Sequence, residues 1–161
     1  MAKRARVIGT TLGVSECDVY LLDERTGSLR RAAIEQADGQ IVDMPGVAGW
    51  VAGNRQAAVE LLDGTVCMAG SGTSAVGPLL SQSATARALV VPLAVRERTV
   101  GVLRLAKPDG IALDPAQQRF LDALAHYAAL GAERVRLSAE AERAEALREA
   151  DRLKDSLLAS V

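Results

Sequence analysis

His126 is the only histidine in the chain, so acid–base or metal chemistry by imidazole would rest on it alone. A general base wants an orienting partner, and a metal centre wants further ligands. His126 stands between Leu124 and Tyr127 in a helical run, and no second histidine completes a set. It reads as a structural or surface residue. A haem would need His126 turned inward, and one histidine is thin evidence for that. The two thiols, Cys17 and Cys67, share no C-x-x-C spacing. Cys67 falls in a stretch rich in Gly, Ser and Thr, where a redox role is open to it. Cys17 begins an apolar run and reads as core. Gly70-Ser71-Gly72-Thr73 lacks the lysine and following helix of a phosphate loop, so it reads as a flexible connection. Trp50 is the only tryptophan. It either plugs the core or walls a small-molecule pocket, and with Met68, Val91 and Leu103 it would line a small, mostly apolar cavity. No catalytic set, metal site or cofactor emerges from these residues; an unidentified small molecule is the ligand they leave open.

Composition narrows the class. At 161 residues the chain is long enough for one domain with a real core. Aromatics make up only 2%, so Val, Leu, Ile and Ala must fill that core. Nineteen basic and 20 acidic residues nearly cancel, which gives no electrostatic case for nucleic acid. Lys3, Arg4 and Arg6 are too short a basic start to change this. No secretory leader and no apolar run of about 20 residues is present, so a cytoplasmic domain with free thiols is expected. A membrane anchor elsewhere in a larger parent protein stays open.

The elements that must position these groups follow from periodicity. Arg4 to Leu12 has helical spacing, ended by Gly13. Cys17 to Leu22 and Ser28 to Ile34 read as strands joined by the turn Asp23-Glu24-Arg25-Thr26-Gly27. A short helix beginning near Val47 would bury Val47, Trp50 and Val51, exit at Asn54-Arg55, and lead to a short strand over Ala57 to Leu61. Asp63 to Ser83 has no clean period and reads as a long connection, with a short helix near Val76 to Leu80. Ala88 to Val95 and Thr99 to Ala106 are adjacent strands joined by Arg96-Glu97-Arg98. Pro92 removes a ladder donor, which places it at an edge or bulge. Asp109-Gly110 turns the chain out of the sheet. Asp114 caps the last helix, with Pro115 first and Gln117 at the capping-box distance. The hairpins make an α+β fold with a mainly antiparallel sheet of five or six strands, flanked by helices.

The last helix is long. From Pro115 onward there is one glycine, Gly131, and no further proline. Its first part offers an apolar face of Phe120, Leu121, Leu124, Tyr127, Ala128 and Leu130, wide enough to cover the sheet. Beyond it the stripe narrows to Leu130, Leu137 and Ala144, seven apart, then Leu147, Ala150, Lys154, Leu157 and Val161 in steps of three and four. Such a helix would leave its stripe bare in a monomer, and a parallel homodimer would cover it. The register shift near Leu147 and the many alanines suit marginal pairing. The division this suggests is a globular domain over 1–133 and a coiled-coil-like linker helix over 134–161.

Read together, these pieces resemble a GAF domain over about residues 3 to 133. The matching residues are Asp18 to Leu22 with Asp23 and Gly27, then Gly46-Val47-Ala48-Gly49-Trp50-Val51. Leu89-Val90-Val91-Pro92-Leu93 with Val100-Gly101-Val102-Leu103 match best, and the Leu113 to Leu130 helix completes the set. The resemblance implies strand order 2-1-5-4-3, with helices packing on one face. On the other face it implies a small-molecule pocket roofed by Gly46 to Trp50 and by Asp63 to Ser83. It does not extend to special chemistry. The Asn-Lys-Phe-Asp-Glu motif of cyclic-nucleotide-binding members is absent. Val66-Cys67-Met68 has no adjacent histidine to suit a chromophore anchor. One loop cysteine does not supply the set used by the methionine sulfoxide reductases of this fold.

Arg152-Leu153-Lys154-Asp155-Ser156-Leu157-Leu158-Ala159-Ser160-Val161 is similar to the approach to the phosphoacceptor helix of bacterial sensor histidine kinases. A similar run occurs in the potassium-responsive KdpD kinases. What this implies is a noncatalytic sensory and dimerisation module. Its parent would be a two-component, phosphorelay kinase of KdpD-like type, with ATP and magnesium bound only in a downstream kinase domain and a response regulator as partner. The alternatives are a degenerate, ligand-free spacer domain and, further off, a thiol-dependent enzyme.

Overall fold

Short aliphatic runs separated by turns build a six-stranded antiparallel sheet in the computed structural model, which describes residues 10–23, 25–32, 46–70, 77, 79 and 85–161. The strands are β1 (Glu16–Asp23), β2 (Ser28–Arg31), β3 (Ala58–Leu61), β4 (Val66–Met68), β5 (Ala86–Val95) and β6 (Arg98–Ile111). Among the described residues, the two helices that pack on them are α1 (Val47–Asn54) and α2 (Pro115–Ala159). The sheet order is β2-β1-β6-β5-β3-β4. Five strands thus follow the order that the family resemblance implied, and β4 adds an outer strand.

β4 corrects the reading of Asp63 to Ser83 as connection throughout. Three residues are too few to show a period, and what makes them a strand is pairing: Val59 faces Cys67 and Glu60 faces Val66. The turn between β3 and β4 is closed by Asp63, whose carboxylate accepts the Thr65 N–H at 2.8 Å. Gly77 and Leu79 are helical, as expected for that stretch, and so are residues 10–12 at the end of the expected leading helix; the rest of 71–84 lies outside the described residues, as do Ile34 and residues 4–9 of that helix.

β6 also runs further than its apolar pattern suggests. Asp109-Gly110 does not leave the sheet, because Ile111 pairs again with Ala86 while Ala106 pairs with Ala88. The intervening residues of β6 bulge out, and Gly110 makes this possible at φ 98, where a Cβ would lie 2.1 Å from Thr85 Cγ2. Gly101 meets a different demand. It pairs with Leu21, and a Cβ there would stand 2.1 Å from the Tyr20 carbonyl oxygen. Pro92 sits beyond Val90, the last β5 residue to pair with β3, and just before a register shift at Leu93/Ala94. Its missing donor therefore interrupts no β3 bond.

The two faces of the sheet carry separate cores. α2 covers one, where Leu121, Ala125 and Ala129 meet Leu89, Val91, Leu93, Leu103 and Leu105. α1 covers the other, where Ala48, Val51 and Ala52 meet Tyr20, Leu29, Ala58, Val90 and Val102. α2 starts as its sequence requires. Asp114 accepts from the Ala116 and Gln117 N–H groups at 2.8 Å each, and Gln117 accepts from the Asp114 N–H at 3.0 Å. Gln117 also donates to the Thr11 carbonyl at 3.1 Å, tying the start of α2 to the helical residues 10–12 that precede β1.

Candidate functional site

Strand register decides which side chains share the α1 face. Asp18, Arg104, Val90, Ala58 and Met68 are successive partners across five strands, and Arg31, Tyr20, Val102 and Pro92 form the neighbouring rank. The face is divided. Toward β2 and β1 it is charged: Arg31 Nε donates to Asp18 Oδ1 at 3.0 Å, with a second, shorter bond from Nη2, and Arg104 Nη1 donates to Glu16 Oε2 at 2.9 Å. Toward β5, β3 and β4 it is apolar, with half-buried Trp50 and Val66 packed beside Val90 and Ala58. Tyr20 stands between the two parts. Burial pushes its phenol pKa up, and Asp18 adds to this, while Arg31 and Arg104 pull the other way.

The residues expected to line one pocket do not converge. Trp50 packs on the α1 face, whereas Val91 and Leu103 are 1% and 2% exposed in the core under α2. Each is one position out of phase with a residue on the α1 face, namely Val90 and Val102. β5 and β6 are buried on both faces and read as continuous apolar runs, so alternation gave no sign of which parity faced which helix. Met68 follows Ala58 in the α1-side rank and is 43% exposed. The short helix itself turns differently from expectation: Ala48, Val51 and Ala52 are buried, and Val47 and Trp50 only partly. Tyr20, Val90 and Val102 are the face residues that sequence reasoning missed. Tyr20 is the one buried residue of β1, and the apolar run Val19-Tyr20-Leu21-Leu22 around it gave no alternation from which to pick it out.

The two cysteines belong to the opposite face. Cys17, Leu105, Leu89, Val59 and Cys67 are successive partners, so the thiols mark the two ends of one rank. Four strand spacings separate them by roughly 19 Å, well beyond disulfide reach. Cys67 is half-buried against the α2-side core within β4, not carried on a loop. Burial raises the Cys17 pKa, with Asp18 adding to it, and this keeps its thiol protonated and poorly nucleophilic. His126 is exposed on α2, its ring meeting Tyr127 edge-on at 5.9 Å. Among the described residues no group of three or more His, Cys, Asp or Glu is placed to hold a metal ion.

α2 changes character along its length. Leu121, Ala125 and Ala129 are buried, and Leu124, Ala128 and Ala132 pack beside them. Phe120, Tyr127 and Leu130, expected on the sheet, are 41%, 72% and 42% exposed instead. The helix docks through its smaller residues because alanines let it lie close to the sheet, and the larger side chains fall on the outer side. Leu137, Ala144, Leu147, Leu157 and Val161 are all exposed. Ala141 and Ala144 floor a concave strip walled by Glu145, Arg148, Glu149 and Arg152. No helix among the described residues is long and apolar enough to cross a membrane.

The fold recurs in signalling proteins. The GAF domain of a phosphoenolpyruvate-protein phosphotransferase from Acinetobacter superposes with a TM-score of 0.58 at 18% identity, covering 85% of this chain and 82% of that one. A domain of a putative two-component sensor histidine kinase from Sinorhizobium meliloti gives 0.56 at 17%, covering 88% and 93%. The GAF domain of the potassium sensor histidine kinase KdpD from Escherichia coli gives 0.52 at 21%, covering 87% and 83%. At these identities the likeness establishes the fold alone. No curated protein matches the chain. The family profile described as GAF domain matches residues 1–134, more than four fifths of the sequence, and the chain therefore belongs to the GAF domain family.

Proposed function

We propose that this chain is a noncatalytic sensory and dimerisation module of a two-component sensor histidine kinase, with α2 as its output. One observation carries the reading. A 45-residue helix docks its first turns on the sheet and then runs on with Leu137, Leu147, Leu157 and Leu158 bare. A domain closing its own core has no use for that second stretch, whereas a parallel partner helix would bury it. The division falls near Glu133, with residues 134–161 as linker. Similar structures from a Sinorhizobium meliloti sensor kinase and from KdpD support a kinase parent, and a KdpD-like one is the leading candidate. Such a parent would hold ATP and magnesium in its kinase domain and pass phosphate to a response regulator.

The input would be a small molecule received on the α1 face, near Trp50, Val66, Met68, Val90 and Val102. One observation favours a second reading, a spacer that binds nothing. Val51, Ala58 and Val102 are fully buried by the chain's own packing, so α1 already occupies part of that face.

Sedimentation velocity decides the output claim. The full chain is expected to dimerise at tens of micromolar, and a chain ending at Glu133 to remain monomeric. Two equally monomeric species would end the rod reading. Quenching or shift of Trp50 fluorescence by candidate metabolites separates receptor from spacer.

A further inference from the structure

The two helices lie on opposite faces of the sheet, yet one turn touches both. Arg55 ends α1 in the left-handed conformation at φ 57, with its N–H on the Val51 carbonyl at 2.9 Å. Its guanidinium reaches 42 residues along the chain and donates from Nη1 to the Glu97 carbonyl at 2.8 Å. Glu97 belongs to the tight turn between β5 and β6, where Arg96 has φ 56. The next residue, Arg98, brings Nη1 to 4.0 Å from Glu133 Oε1 on α2. Glu133 in turn accepts two bonds from Arg136, at 2.8 and 2.9 Å, and Arg136 bonds Glu140.

The place of this chain of contacts on α2 matters. Among the described residues, Ala132 is the last apolar α2 side chain packed on the core, and every residue from Glu140 onward is exposed. Glu133, Arg136 and Glu140 therefore span the point where the helix leaves the domain. The geometry points to a clip: the β5–β6 turn couples the C-terminal end of α1 to the exit of α2. Through it, displacement of α1 on one face loosens or tightens the helix leaving the other.

The coupling is local, so it rides on stiff parts. β5 and β6 form the longest ladder in the sheet, and Val95 pairs with Arg98 to close the turn that carries Glu97. A shift of the Arg55 guanidinium would pull the Glu97 peptide, and with it Arg98, by a comparable amount. The clip serves signalling only if α2 is the output helix proposed above; the coupling itself does not depend on that reading.

Native-state hydrogen exchange on the full chain tests it, read by peptide. Arg55→Gly removes the guanidinium while suiting the positive φ, and Arg55→Asn does so with a side chain that also tolerates it. Both should speed exchange of amides around Glu133 to Glu140 by about twofold to fivefold, with Leu121 to Ala129 unchanged. In a Glu133→Gln background, which cuts the clip at its second joint, neither Arg55 substitution should add a further change. An unaltered exit segment would overturn the clip, as would an effect of equal size in both backgrounds or a uniform acceleration across the domain. Dimerisation is measured separately by sedimentation, so loss of the rod and loss of the clip cannot be confused.

Discussion

The first and second stretches of α2 are one continuous helix in two different situations. From Pro115 to Ala132 the helix presents Leu121, Ala125 and Ala129 to the sheet and keeps larger residues outside. From Glu140 to Ala159 every side chain is exposed, and between the two stretches the Glu133 and Arg136 junction touches the described part of the domain through Arg98. Helix identity is therefore not what distinguishes them. Alanine and leucine favour helix equally in both, and only the first stretch draws stability from tertiary burial. A sequence stripe reports that a helix face wants covering; it does not report by what.

Substitutions in the two stretches should separate sharply. Leu121→Ala, at a fully buried site, is expected to destabilise the fold by about 2–5 kcal/mol in chemical denaturation. Leu147→Ala should leave monomer stability within about 0.5 kcal/mol. Similar losses at both would erase the contrast. Next in size, Leu137→Glu should weaken self-association at least about tenfold by sedimentation while the melting of the monomer is unchanged. An unaffected association constant would move the interface off this stripe. Asp114→Ala removes the side-chain half of the capping box, leaving the Ala116 and Gln117 N–H groups without their acceptor, and should lower stability by about 1 kcal/mol, confined to the docked stretch.

The smallest effect concerns the junction. Hydrogen bonds from Arg136, with its charge and that of Arg98, hold the Glu133 pKa below the ordinary carboxylate value. A depressed carboxylate contributes stability above its unfolded pKa and loses it as pH falls through the folded one. The protection factor of amides near Glu133, with the intrinsic pH dependence of exchange divided out, should thus be flat at neutral pH and fall modestly only in acid, below the usual glutamate range. In Glu133→Gln that acid limb should vanish.

How far the sequence disclosed this molecule differs between its parts. The hairpins, the cap at Asp114 and the length of α2 were legible, because turns, caps and periodicity are local; the strand order came only with the resemblance to the GAF family. β4 was not, since a three-residue strand exists only through its partner. The side of the sheet faced by each residue of β5 and β6 was hidden as well. Val90, Val91, Val102 and Leu103 are all apolar and all buried, so the sequence offered Val91 and Leu103 where Val90 and Val102 share the face with Trp50. The links from Arg55 to Glu97 and from Arg98 to Glu133 had no signature at all. They join charged residues far apart in the chain, and charges occur throughout its surface.

The exposed stretch of α2 is also a lever. Twenty-seven residues at 1.5 Å each extend about 40 Å beyond the domain, so a tilt of about 5° at Glu133 carries the far end about 3.5 Å. A displacement too small to see at the junction becomes, at the tip, the difference between touching a partner's side chain and missing it.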